Sequence, residues 1–297
     1  MLPDLAQRAP GAPAPRPAQR LRADALGIGL RPRHVRELIE APERVGYLEI
    51  ISENFLGPAP GPRRNLARLR GRVPIVLHGV TLGLLDAAPL DDDYLDAVCR
   101  LADEVDAPFV TDHLCWTGHA GARHHDLLPT PHRADLVEFA AERAAQVQRR
   151  LGRPFGIENL SSYVAFAESD LTEWEFYAQV VRSSGCWFMF DLNNVHVSAQ
   201  NHGFDPHAYV DAIDFDRVLQ VHLAGHTVEP DGLVVDTHDH PVADAVWDLY
   251  AYAWRRGGPF PTLIEWDASI PPLEAVLAEV ARAASVRATA IGLEVPQ

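Results

Sequence analysis

Eight short apolar runs recur along the chain, each followed by a helix-forming stretch, and this alternation constrains the fold more than any other feature. The runs are Ala25–Leu30, Tyr47–Ile51, Val73–Leu77, Phe109–Thr111, Phe155–Ile157, Trp187–Phe190, Val218–Val221 and Thr262–Ile264. They are short and mostly apolar, as strands of a parallel sheet buried on both faces must be. Between them, Asp91–Asp106 puts Leu95, Val98, Ala102 and Val105 on one helical face, with acids at its start to suit the helix dipole. Thr130 and Pro131 read as the N-cap and first residue of a helix that stops at Gly152. Further helices are expected at Pro32–Glu40, Thr172–Val181, Pro206–Ile213, Pro241–Arg255 and Pro271–Ala284, with a loop at Gly57–Pro62 and another around Asn201–Gly203. Eight strand–helix units in roughly 250 residues is the size of an α/β (β/α)8 TIM barrel. A doubly wound open sheet is the alternative, but it gives no reason for what stands at the strand exits.

Those exits carry chemistry. Glu53 follows the second strand, His78 the third, Asp112 and His113 the fourth, and Glu158 and Asn159 the fifth. Asp191 and Asn194 follow the sixth, His222 the seventh and Glu265 the eighth, while the loop after the seventh adds Asp236 and His238. Barrels of this kind build their sites at the C-terminal ends of the strands. Carboxylates gathered there without cations would raise one another's pKa, and bound metal ions remove that repulsion. Histidine and carboxylate without cysteine suit Fe, Mn or Zn and disfavour a structural zinc site. About ten candidates exceed what one ion takes, so two or three ions are implied. Taken singly, each residue has a plainer reading: a hydrogen-bonded barrel histidine for His78, an arginine partner for Glu158. Taken together, acids and imidazoles at most of the exits point to one site. His226, His240 and Glu53 read as partners that orient ligands. The loop histidines His119, His124, His125 and His132 read as solvent-exposed.

The balance of the chain excludes other classes. A net charge of -15 over 297 residues argues against a nucleic-acid surface. All 26 basic side chains are arginine, so lysine Schiff-base and P-loop chemistry are absent. Cys99, Cys115 and Cys186 are widely spaced and fit three reduced thiols in a cytoplasmic protein. No apolar run approaches the ~18 residues of a membrane span. Residues 1–22 are rich in Pro, Ala and Arg and read as a disordered extension. Residues 23–285 read as one catalytic domain, and 286–297 as a tail.

The motif series is specific. Ser52-Glu-Asn-Phe55, His78-Gly79, Asp112-His113, Glu158-Asn159, Asp191-x-Asn193-Asn194, Asn201-His-Gly-Phe-Asp-Pro206, His222-x-Ala-Gly-His226, Asp236-x-His238 and Glu265-Trp-Asp267 occur in order. The set resembles the multinuclear non-heme iron-dependent oxidative enzymes, which include the catalytic subunit of the methanobactin oxazolone/thioamide synthase. The resemblance implies a xylose-isomerase-like barrel, two or three iron ions, and O2 as co-substrate. It implies modification of cysteine or adjacent residues in a ribosomally synthesised precursor peptide, with a leader-recognition partner protein. Carried onto this chain, it places Glu158, Asp191, His222 and Glu265 on one iron. His78 and His113 fall on a second, with Glu158 bridging, and Asn194, Asp236 and His238 on a third. Glu53, Asn159 and His226 stand behind the ligands. The rival readings are a metal-dependent hydrolase or isomerase on the same barrel, endonuclease-IV-like or sugar-isomerase-like, and a non-catalytic metal- or peptide-binding scaffold.

Overall fold

The computed structural model describes residues 21–57, 60–119 and 122–292. Eight parallel strands close a barrel: β1 (Leu26–Gly29), β2 (Tyr47–Ile51), β3 (Ile75–Gly79), β4 (Val110–His113), β5 (Phe155–Glu158), β6 (Trp187–Asp191), β7 (Val218–Leu223) and β8 (Thr262–Ile264). Each pairs with its sequence neighbours, and β8 closes onto β1 through Leu26–Thr262, Gly27–Leu263 and Ile28–Ile264. The outward-facing side chains, among them Leu48, Ile50, Leu77, Val110, Ile157, Phe188 and Phe190, merge with the helix layer into one core. The expectation of a TIM barrel is correct.

The two-residue period of a strand explains how one barrel holds both a dry plug and a polar mouth. Near the N-terminal ends, Tyr47, Val76, Phe109, Trp187, Leu219 and Leu263 pack with Leu21 and Ala25 into a buried cluster that fills the interior. Two residues further along the same faces stand Glu49, His78, Thr111, Met189 and Glu265; two more bring His113 and Asp191. Gly27 keeps this layer open for Tyr47, because a Cβ there would lie 2.6 Å from the phenol ring.

Several boundaries differ from those expected. Leu21, assigned to the extension, is buried in the plug; residues 1–20 of that extension lie outside the described residues. The last helix runs over Leu273–Ala290 and takes in the first part of the expected tail. A helix already begins at Pro60 within the expected Gly57–Pro62 loop. Thr130 and Pro131 do not start a helix: it begins at Ala134 behind an extended Arg133, where Asp170 Oδ1 accepts from Ala134 N at 2.8 Å. The expected loop around Asn201–Gly203 is the end of a helix, Leu192–His202, stopped by Gly203 at φ 73°. The helix expected from Thr172 has that residue as N-cap, in a reciprocal capping box with Glu175. His132, expected at the surface, packs its ring 5.3 Å from Phe176. The side chains of His119, His124 and His125 lie outside the described residues.

Candidate metal centre

Strand geometry brings the predicted ligands together. Four groups with one ligand atom per residue, all within 4.8 Å of one another, occur among the described residues: His78–His113–Glu158, Glu158–Asp191–His222, Asp191–His238–Glu265 and Glu49–His222–Glu265. They share members, so they form one connected centre. Glu158, Asp191, His222 and Glu265 each belong to two groups.

The histidines are locked with one nitrogen presented to a carboxylate. Thr111 Oγ1 donates to Leu77 O at 3.4 Å and lies 2.9 Å from His78 Nδ1, so it accepts the Nδ1 proton. His113 Nδ1 lies 3.1 Å from the carbonyl oxygen of Gly79, which can only accept. That leaves Nε2 of His78 and of His113 facing the same atom, Glu158 Oε2, at 3.2 and 3.0 Å. His238 repeats the arrangement: Nδ1 meets Asp267 Oδ2 at 2.9 Å, and Nε2 lies 2.6 Å from Asp236 Oδ1. Metal-ligating histidines are oriented in this way, through the nitrogen that does not bind.

Unpartnered atoms test whether ions fit. Buried polar atoms almost always have hydrogen bonds, because leaving one unpaired costs about 1–3 kcal/mol. Unpaired atoms occur at several places among the described residues; in the centre, Asp191 Oδ2 and Asn194 Oδ1 have no partner, and Glu158 Oε2 and His238 Nε2 have only the histidine–carboxylate contacts given above. These four are on predicted ligands, whereas others, such as Ser52 Oγ and Trp266 Nε1, are not. On Asp191 and Asn194 the other polar atom is occupied: Asp191 Oδ1 accepts from Asn194 N at 2.6 Å, and Asn194 Nδ2 donates to Asn159 O at 2.9 Å. The donor set, imidazole nitrogen and carboxylate or amide oxygen, suits a first-row transition metal.

Protonation follows the same geometry. Burial lowers His78 to about 4, so its imidazole is neutral and its Nε2 lone pair is free. Burial acts the same way on His113, but the Glu158 carboxylate outweighs it and holds His113 at about 9. Burial also opposes charge on His238, yet Asp236 and Glu265 raise its pKa well above the ordinary value. Asp191 is raised by burial and by Glu158. Burial opposes ionisation of Glu265 as well, but His222 and His238 hold it well below the carboxylate range. An ion entering the centre replaces protons already held there.

The partners behind the ligands are only partly those expected. Asn159 is one: its Oδ1 accepts from Asp191 N and its Nδ2 donates to Asp191 O, both at 2.9 Å. His226 is another at one remove, through Nδ1 to Asn193 Oδ1 at 2.8 Å, while Asn193 Nδ2 donates to Asp236 Oδ1 at 2.6 Å. Glu53 is not: its Oε1 accepts from Val80 N, Thr81 N, Thr81 Oγ1 and Tyr94 Oη, so it pins the loop after β3 and touches no ligand. Asp112 faces away from the centre toward this loop; its Oδ1 accepts from His113 N at 2.8 Å. Glu49, Thr111 and Arg31 belong to the centre although none is an acid or imidazole at a strand exit. Arg31 hydrogen-bonds Trp266 O and Asp267 and lies 3.5 Å from Glu265 Oε1. A charged Glu49 inside an otherwise apolar strand was the available signal.

The match to known proteins agrees with this geometry. Residues 25–288 match the family described as the RiPP precursor modification enzyme MbnB/TglH/ChrH. The chain belongs to that family. Its members modify ribosomally made precursor peptides, so this is an enzyme family with a peptide substrate. A UPF0276 protein of Anaeromyxobacter sp. (strain Fw109-5) is 44% identical over 265 residues, covering 89% of this chain and 93% of the relative. A UPF0276 protein of Caulobacter vibrioides (strain NA1000 / CB15N) is 45% identical over 263 residues, covering 88% and 94%. Among solved structures, a xylose isomerase-like TIM barrel protein from Mycobacterium smegmatis, in complex with magnesium, has TM-score 0.57 at 11% identity, covering 87% of this chain and 89% of that one. The apo 3-keto-D-glucoside 4-epimerase of E. coli has TM-score 0.56 at 11% identity, covering 88% and 99%. At such identity these structures share the fold alone. No helix among the described residues is long and apolar enough to cross a membrane.

Proposed function

We propose that this family member is a multinuclear non-heme iron enzyme that uses O2 to modify cysteine, or a residue beside it, in a ribosomally synthesised precursor peptide. One observation carries the metal part: buried histidines and carboxylates from separate strands offer ligand atoms within 4.8 Å of one another in overlapping groups, with Asp191 Oδ2 among them left without a hydrogen bond. His78, His113 and Glu158 would hold one ion; Glu158, Asp191, His222 and Glu265 a second; and Asn194, Asp236 and His238 a third. Bound iron supplies the electron transfer to O2 and acidifies a coordinated thiol.

The chain's own residues do the rest. Glu158, common to two of these sets, would be shared by neighbouring positions, and Asp191 would serve the second. Thr111, Gly79 and Asp267 fix the imidazoles so that nothing reorients when an ion or substrate enters. Arg31 is a buried cation beside the carboxylates and keeps Glu265 and Asp267 in register on the β8 side. The reacting thiol comes from the peptide, because Cys115 and Cys186 are buried with their pKa raised by desolvation, Cys186 to about 12. A leader-recognition partner protein, expected from the family resemblance, would deliver the peptide.

The test is anaerobic reconstitution with Fe(II), addition of a cysteine-containing precursor peptide, should one be encoded beside the gene, and admission of O2. O2 uptake with a mass change on the peptide supports the reading. Stoichiometric zinc with hydrolysis or isomerisation and no O2 uptake would assign the hydrolase or isomerase alternative instead.

A further inference from the structure

His222, like His238, departs from the pattern of His78 and His113. Both of its ring nitrogens face carboxylates: Nδ1 lies 3.0 Å from Glu265 Oε2, and Nε2 lies 3.1 Å from Glu49 Oε2. The two sides are not equivalent. Glu265 stands at the exit of β8, on the mouth side, where Asp191 and Glu158 also offer ligand atoms. Glu49 sits in the middle of β2, one layer deeper, two residues from Tyr47 of the apolar plug.

Glu49 is itself held from below. Tyr47 Oη donates to Gln220 Oε1 at 3.2 Å, which fixes the Gln220 amide so that its Nε2 donates to Glu49 Oε2. Gln220 Nε2 also lies 2.8 Å from His222 Nε2; the amide nitrogen only donates, so with the His222 Nε2 proton aimed at Glu49 the two nitrogens share one carboxylate oxygen and do not bond each other. A carboxylate oxygen receives two donors readily, and a metal ion at the same oxygen would have to displace the amide.

We propose that Glu49 is the positioning carboxylate of the centre: it accepts the Nε2 proton of His222 and turns Nδ1 to the metal position formed with Glu265, Asp191 and Glu158. His222 then ligates through Nδ1, whereas His78, His113 and His238 ligate through Nε2. A charged acceptor behind a ligating imidazole fixes its orientation and makes it a stronger donor, and loss of such partners weakens metal binding about 10–100-fold. The Tyr47–Gln220–Glu49 ladder carries this constraint from the plug into the centre. The inference rests on the metal reading above and goes beyond it by assigning a residue outside the ligand set.

The experiment is titration of metal-free protein with Fe(II) under anaerobic conditions, followed by calorimetry and Mössbauer spectroscopy. Glu49→Gln preserves shape and removes the charge. The expected result is unchanged stoichiometry, one ion weakened at least tenfold, and an altered signal from that iron alone. Tyr47→Phe loosens the ladder at its base and should weaken the same ion by a smaller factor; it decides the matter if Glu49→Gln does not fold. Unchanged affinities and spectra in the variants would overturn the proposal. So would loss of a whole equivalent of iron from Glu49→Gln, which would make Glu49 a ligand. Wild-type protein that takes up no Fe(II) would overturn the metal reading itself, a result distinct from wild-type uptake with unaffected variants.

Discussion

Nδ1 of His113 lies 3.1 Å from the carbonyl oxygen of Gly79, and this contact decides which nitrogen His113 offers to a metal. A carbonyl cannot donate, so Nδ1 carries the proton and Nε2 is left beside Glu158. Gly79 is required on a second count, since a Cβ there would lie 2.0 Å from Asp112 Oδ2. Gly79→Ala should displace the carbonyl and weaken metal binding about 10–100-fold, as loss of an orienting partner does. Calorimetric titration of metal-free variant and wild type checks this, and equal affinities would contradict it.

Thr111 does for His78 what Gly79 does for His113. Thr111→Val removes the acceptor of the Nδ1 proton while keeping the volume of the side chain, so the barrel should stay folded. Affinity at the His78–His113–Glu158 position should fall, again by about 10–100-fold. Thr111→Ser, which retains the hydroxyl, should restore it. Equal losses in both variants would mean that packing rather than the hydrogen bond matters.

Protonation makes stability and metal affinity move oppositely with pH. His113 is held at about 9, above the ordinary 6.5. A raised histidine stabilises the fold fully below the unfolded pKa, and that contribution is lost as pH rises through the folded one. His238 shifts in the same direction. Metal-free protein should therefore lose thermal stability between about pH 6.5 and 9. Over the same interval metal affinity should rise, because ions no longer compete with those protons. Melting curves of metal-free protein at both ends of the range check the first part. A flat or rising Tm would contradict it.

Bound metal should stabilise the fold. Each ion present at a thousandfold excess over its Kd adds about 4 kcal/mol. Chelation should lower the Tm, and Glu158→Gln, which removes a carboxylate shared by two groups, should abolish most of the gain. A Tm insensitive to chelator in metal-replete protein would contradict this.

The chain's own thiols should be spectators. Cys115 and Cys186 are buried and their pKa is raised by desolvation; Cys99 is partly exposed. A thiol reagent at pH 8 should label only Cys99 in the folded protein, and all three after denaturation. Cys115→Ala should leave turnover on the precursor peptide intact, and its loss would give Cys115 a role in the reaction.

The barrel and most of the centre were legible because two rules act locally. Strand burial shows as an apolar run, and ligands at strand exits show as polar residues directly after it; Glu158, Asp191, His222 and Glu265 all obey both. Glu49 and Thr111 did not stand out, since they lie inside strands and only the closed barrel reveals which face is inward. Arg31 was silent because its partners are more than 230 residues away. Glu53 misled for the opposite reason: it sits at a strand exit, but the loop amides of Val80 and Thr81 claim it. Pro131 imitated a helix start, but the chain stays extended through Arg133 and the helix begins at Ala134, whose amide is held by the distant Asp170.

The most direct test of the central claim is metal analysis of protein prepared without oxygen, alongside Glu158→Gln. We predict two or three iron ions per folded wild-type chain and a loss of iron in the variant with its secondary structure intact. Wild-type protein that modifies its peptide while holding less than about a tenth of an equivalent of any transition metal would contradict the account.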